Sequence, residues 1–109
     1  MKVGCHVSIA GGVDKALERA ADLGCEVFQM FTRSPQGGKA PELSQQIISD
    51  FKLGMKNFGL TEAVVHTPYF INFGSANNRI FYGSVSVVRQ ELERASLLGA
   101  AFVITHLGS

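Results

Sequence analysis

Glu62-Ala63-Val64-Val65-His66 (EAVVH) is a short β-prone run that closes on a histidine, and Ala101–His106 (AFVITH) repeats that form one helix later. Between the two, Val85, Val88, Leu92, Ala95 and Leu98 recur at helical spacing over roughly 18 residues before Gly99, which predicts a helix burying those side chains. The same order recurs upstream. Val3–Val7 reads as a strand that breaks at Ser8, Ala10, Gly11 and Gly12, followed by Val13, Ala16, Leu17, Ala20 and Ala21 on one helical face. Gly24 stands where a left-handed helix cap is needed, and Cys25–Phe31 (CEVFQMF) is a nearly continuous apolar run, expected to be a strand covered on both faces. Thr32–Leu43 carries two of the three prolines and no apolar period, so it reads as a long loop. Ser44 then caps a helix whose expected buried face is Ile47, Ile48, Phe51, Met55 and Phe58, with Gly59 as its stop.

Strand followed by helix, three times over, implies parallel strands joined by right-handed crossovers, an α/β fold. A unit takes about 35 to 40 residues, so eight would need on the order of 250, the size of a closed (β/α)8 TIM barrel. The expectation for residues 1–109 is therefore the first half of such a barrel, four strands and three helices, as a piece of a longer chain. Composition agrees with a folded domain: 46% of residues are hydrophobic and only 17% charged, too apolar for a disordered chain. A net charge of +1 creates no long-range field toward nucleic acid. Apolar runs are too short for a membrane span, and no secretory leader is seen at Met1. Two cysteines, Cys5 and Cys25, supply neither a disulfide framework nor a four-cysteine zinc site, so a reducing, cytoplasmic setting is expected.

In parallel α/β folds, function gathers in the loops after the carboxyl ends of the strands. His6, His66 and His106 all lie there. Neutral imidazole suits zinc, and His66 and His106 on neighbouring strands can share one ion if a carboxylate completes the shell; a structural hydrogen-bonding role is an equal alternative. The third loop places Tyr69, Phe70 and Phe73 in what is usually a polar connection. Such aromatics either pack over the rim or stack on bases, with Arg33, Gln36 and Lys39 of the preceding loop near enough to meet phosphates. Ser8–Gly12 (SIAGG) opens a helix without the spacing of a dinucleotide or phosphate loop, and reads as a tight turn. Cys5 and Cys25 are expected to be small apolar fillers in adjacent strands.

Taken together, GCHVSIAGG (4–12), VFQMFTRSP (27–35), VVHTPYFINFGS (64–75) and THLGS (105–109) resemble the endonuclease IV family of zinc-dependent apurinic/apyrimidinic endonucleases, over the whole chain. The resemblance implies a (β/α)8 barrel that cuts double-stranded DNA on the 5′ side of an abasic site, with three zinc ions activating water and stabilising the leaving oxygen. His66 and His106 fall on family zinc ligands serving one ion, and Tyr69 and Phe70 fall on the wedge that fills the gap left by the flipped nucleotide. Ser8, Gly11, Gln36, Lys39 and Asn72 are carried over as secondary DNA contacts. His6 belongs to the family's HVS signature and is not a metal ligand there. Gln36 and Gly38 replace a duplex-entering arginine and a nearby tryptophan, and Leu107 replaces a proline after the histidine, which implies weaker insertion and a looser loop behind His106. The remaining ligands, every carboxylate among them, are expected in a complementary C-terminal half. Two rivals stand beside this reading: a metal-dependent sugar isomerase or epimerase on the same barrel, and a non-catalytic half-barrel that closes its sheet against itself or another chain.

Overall fold

The computed structural model describes residues 1–108 and shows a single parallel sheet backed by helices. Ser109, the last residue of the THLGS segment, lies outside the described residues. The strands are β1 (Gly4–His6), β2 (Val27–Met30), β3 (Glu62–His66) and β4 (Phe102–Ile104), and the helices between them are α1 (Lys15–Asp22), α2 (Gln45–Asn57) and α3 (Asn78–Leu98). Strand order follows chain order, β1-β2-β3-β4, with every pair parallel. Met30 pairs with Val65, and Val65 with Val103; His66 pairs with Ile104. The βα alternation is therefore as the sequence implies. Ser44 accepts the Ile47 N–H at 3.2 Å and starts α2, while Asn77 caps α3 by accepting the N–H groups of Arg79 and Ile80. Gly99 ends α3 at φ 76°, a left-handed conformation that costs other residues dearly.

Alternation along the strands gives the sheet two unlike faces. Phe28, Met30, Ala63 and Val65 point to the helices and are buried with Ala16, Leu17, Ala20, Ile48, Phe51, Ala95 and Leu98. On the opposite face Val27, Gln29, Val64 and His66 are only half-buried, and Ile104 is exposed. β2 is thus covered on one face, not two, because its residues alternate between the helix layer and the side that a closed barrel turns inward.

The buried face of α3 also differs from the expected one. Ser84, Glu91, Ala95 and Leu98 face the core, whereas Val85 and Leu92 are 38% and 54% exposed. Phe58, at the end of α2, is exposed as well. The reason on α3 is a polar cluster. The Glu91 carboxylate has no solvent contact and accepts hydrogen bonds from Thr32 Oγ1 at 2.7 Å and Arg33 Nε at 2.9 Å. Arg33 also donates to Gln90, and Arg94 donates to Thr32 Oγ1 at 2.8 Å, the Thr32 carbonyl at 2.6 Å and the Pro41 carbonyl at 2.6 Å. Burial lowers the Arg94 pKa from its ordinary value, an effect Glu91 opposes and Arg33 reinforces. The Thr32–Leu43 loop is thereby fastened to α3 near both ends.

Gly4 is fixed by close approach: a Cβ there would lie 1.6 Å from the Val27 carbonyl oxygen, which is backbone and has nowhere to go. Gly4→Ala is expected to destabilise the chain by at least the upper end of the roughly 1–3 kcal/mol typical of overpacking, seen as a lowered denaturation midpoint. Glu91→Ala removes the counter-charge beside the buried Arg33 and the half-buried Arg94 and should cost about 3–5 kcal/mol in the same measurement. A midpoint within error of the parent would contradict either account.

Candidate functional site

The carboxyl ends of the strands carry a cluster of rings with Phe31 at its centre. Phe31 lies 4.5 Å from His6, 5.7 Å from His66 and 5.3 Å from Tyr69, centroid to centroid. His66 is 6.3 Å from both Tyr69 and His106. Strand register staggers the three: His6 is level with Gln29 and through it with Val64, His66 is level with Ile104, and His106 follows two residues later, all toward the carboxyl ends of the strands. Phe31, one residue past β2, passes in the sequence for one more apolar strand residue; only the pairing shows that it separates His6 from His66.

Hydrogen bonds fix the ring nitrogens. His66 Nδ1 is 2.5 Å from the Thr67 carbonyl and His106 Nδ1 is 2.9 Å from the Gly108 carbonyl. A carbonyl only accepts, so both Nδ1 atoms carry the proton and both Nε2 lone pairs are left for another partner. His6 is the reverse: the Gln29 amide nitrogen lies 2.8 Å from its Nδ1 and donates to it, which puts the His6 proton on Nε2. Burial, then the proximity of His66, holds the His6 imidazole below its usual pKa and keeps it neutral. His66 and His106 therefore present the donor atoms a divalent ion takes, with the Nδ1–H to carbonyl support usual for histidine ligands. Among the described residues no group of three or more His, Cys, Asp or Glu side chains could hold a metal. The pair fits as two ligands of a larger set.

The loops bearing the other candidates are tied to this rim. The Tyr69 N–H donates to the Pro35 carbonyl at 3.0 Å, joining the third loop to the second. The Phe73 N–H donates to the Leu107 carbonyl at 2.8 Å, joining the third to the segment after β4. Tyr69 is 60% and Phe70 39% exposed. Phe70 shares a shallow groove with Arg79, Ile80 and Val87 of α3, while Tyr69 sits edge-on to Phe31. Ser8, Gly11, Gln36 and Lys39 are exposed on the first and second loops. Asn72 is half-buried and turned inward: its N–H donates to Ser84 Oγ at 2.9 Å and its Oδ1 accepts from the Gly74 N–H at 3.0 Å. Arg33, expected near phosphates, is 4% exposed and held by Glu91 and Gln90, so it is not available to an outside anion. Glu91 and Arg94 carry no signal in the sequence beyond two charged residues in an otherwise amphipathic helix.

Residues 17–109 match the family described as xylose isomerase-like TIM barrels. The chain is 42% identical over 111 residues to a probable endonuclease 4 of Cenarchaeum symbiosum, covering all of this chain and 40% of that protein. It is 43% identical over 106 residues to the probable endonuclease 4 of Methanoculleus marisnigri, covering 97% of this chain and 38% of the relative. Among solved structures, endonuclease IV from Thermus thermophilus superposes with a TM-score of 0.93 at 36% identity, over 100% of this chain and 41% of that one. The chain thus spans about 40% of the length of the curated relatives it matches. It belongs to the xylose isomerase-like TIM-barrel family, and within that family its similarity is to endonuclease IV.

Proposed function

We propose that the complete protein is a DNA-repair endonuclease that hydrolyses the phosphodiester 5′ to an abasic site, and that this chain supplies part of its metal centre and its duplex wedge. The observation that carries this reading is the rim geometry, in which two histidines whose Nε2 atoms make no hydrogen bond among the described residues lie beside an exposed, backbone-anchored tyrosine. His66 and His106 would hold zinc, together with ligands from outside the described residues. Zinc supplies a lowered pKa for bound water and charge stabilisation on the phosphodiester.

The chain's own residues bind and orient. Tyr69 stacks in the gap of a duplex that lacks a base, and Phe70 extends the same apolar edge, since ring faces take any neighbouring base. Gln36 and Lys39 meet phosphates along the flank, contacts that set register and carry no sequence information. Burial, and then the adjacent His66, keep His6 neutral, so the rim does not add a positive charge beside the ion's ligands.

The complete protein carrying this segment, with zinc and a duplex holding one abasic site, is expected to nick once on the 5′ side of the lesion. An uncut duplex would overturn the assignment. Tyr69→Ala should weaken binding to the abasic duplex by about 1–3 kcal/mol and leave binding to an intact duplex nearly unchanged. His66→Ala should lower turnover by more than the about 10- to 100-fold typical of a lost supporting residue. In this chain itself, nitrogen-15 shifts should report the Nδ1–H tautomer for His66 and His106 and the Nε2–H tautomer for His6, with His6 titrating below the ordinary imidazole value. An Nε2–H tautomer at His66 would remove it as a ligand through that atom.

A further inference from the structure

Toward the amino ends of the strands, away from the histidine rim, the two thiols of the chain meet. Cys5 Sγ and Cys25 Sγ lie 3.7 Å apart. Cys5 is exposed and not the buried filler the sequence implies, while Cys25 is half-buried against the core. Their separation has a specific chemical meaning. Two sulfurs bound at about 2.3 Å to one tetrahedral ion stand about 3.8 Å apart, whereas a disulfide requires about 2.05 Å. Cys5 pairs level with Phe28, three residues beyond Cys25, and the Glu26 N–H is already engaged by the Val3 carbonyl. The two thiols thus reach each other from register positions three residues apart, at the spacing a bridging ion takes.

We propose that Cys5 and Cys25 form a two-thiolate site for one thiophilic divalent cation, independent of the histidine rim. Each thiol gives up its proton as its sulfur bonds to the ion, so two protons leave for each ion taken up, and water fills the remaining positions. The hydrogen bond from Cys25, with burial, raises the Cys5 pKa, so the Cys5 proton is present to be displaced.

Cadmium is the probe, because sulfur-to-cadmium charge transfer absorbs in the ultraviolet and imidazole ligation does not reproduce it. The reduced chain is expected to take up one Cd2+ with that band and to release two protons per ion. Cys5→Ser and Cys25→Ser should each lose the band while circular dichroism shows the fold retained. The parent chain alkylated on its thiols serves as a second control that needs no substitution. Absence of the band at stoichiometric cadmium, its survival in either serine variant, or one ion per two chains would overturn the proposal.

Discussion

The carboxylate of Glu91 is sealed from water, and the placement of the second and third loops follows from how its charge is met. A buried carboxylate left alone costs several kcal/mol, so it survives only where cationic and hydroxyl donors surround it. Arg33 and Thr32 come from the end of β2, and Arg94 comes from one helical turn further along α3. Because Arg94 also grips carbonyls at Thr32 and Pro41, closing this cluster draws the second loop down onto α3. That loop in turn offers the Pro35 carbonyl to the Tyr69 N–H. The orientation of the exposed tyrosine thus depends on a charge cluster in the layer beneath it. An arginine suits this task because its planar fork reaches several acceptors at once and remains charged when half-buried.

The sheet has a second constraint, set by alternation. Phe28, Met30, Ala63 and Val65 fill the helix layer, and their neighbours Val27, Gln29, Val64 and His66 necessarily turn the other way. In a (β/α)8 barrel that second face is the packed interior, and the active rim is its upper end. A histidine that closes β3 lies on this face by parity, and one slip in register would bury it among the helices instead. Gly4 holds that register at the first strand pair, where only a missing Cβ lets β1 approach the Val27 carbonyl.

Much of this is legible in the sequence, and the exceptions share a cause. β3 is found at Glu62–His66, the caps at Ser44, Gly24 and Gly99 are in place, and His6 and His66 close their strands, because period and capping chemistry are local; His106 lies two residues past the end of β4 and does not close it as expected. On α3, hydrophobicity alone selects Val85, Val88 and Leu92, while the true stripe runs through Ser84 and Glu91. A polar residue on a buried stripe is recognisable only through its partner, and Glu91's partners lie 58 and 59 residues away in the chain. Arg33 reads as an anion contact for the same reason. The proximity of Cys5 to Cys25 is equally hidden, since it depends on where the turn after α1 delivers the chain beside β1.

The protonation pattern at the rim is the least legible feature and bears most directly on chemistry. Three histidines of one residue type end with two tautomers, because the acceptor beside each ring is chosen by the backbone, or in one case by Gln29. For His66 and His106 that acceptor is a main-chain carbonyl, of Thr67 and of Gly108, which no side-chain substitution removes. This bears on Leu107, where the resemblance to endonuclease IV implies a stiffer proline. Its carbonyl still receives the Phe73 N–H at 2.8 Å, and the next carbonyl still holds His106. The loop is therefore restrained from both sides by bonds that do not depend on residue 107 having a fixed φ. What proline would contribute is a lower entropy of the unfolded loop, a term of order ~1 kcal/mol, and not the geometry that presents Nε2.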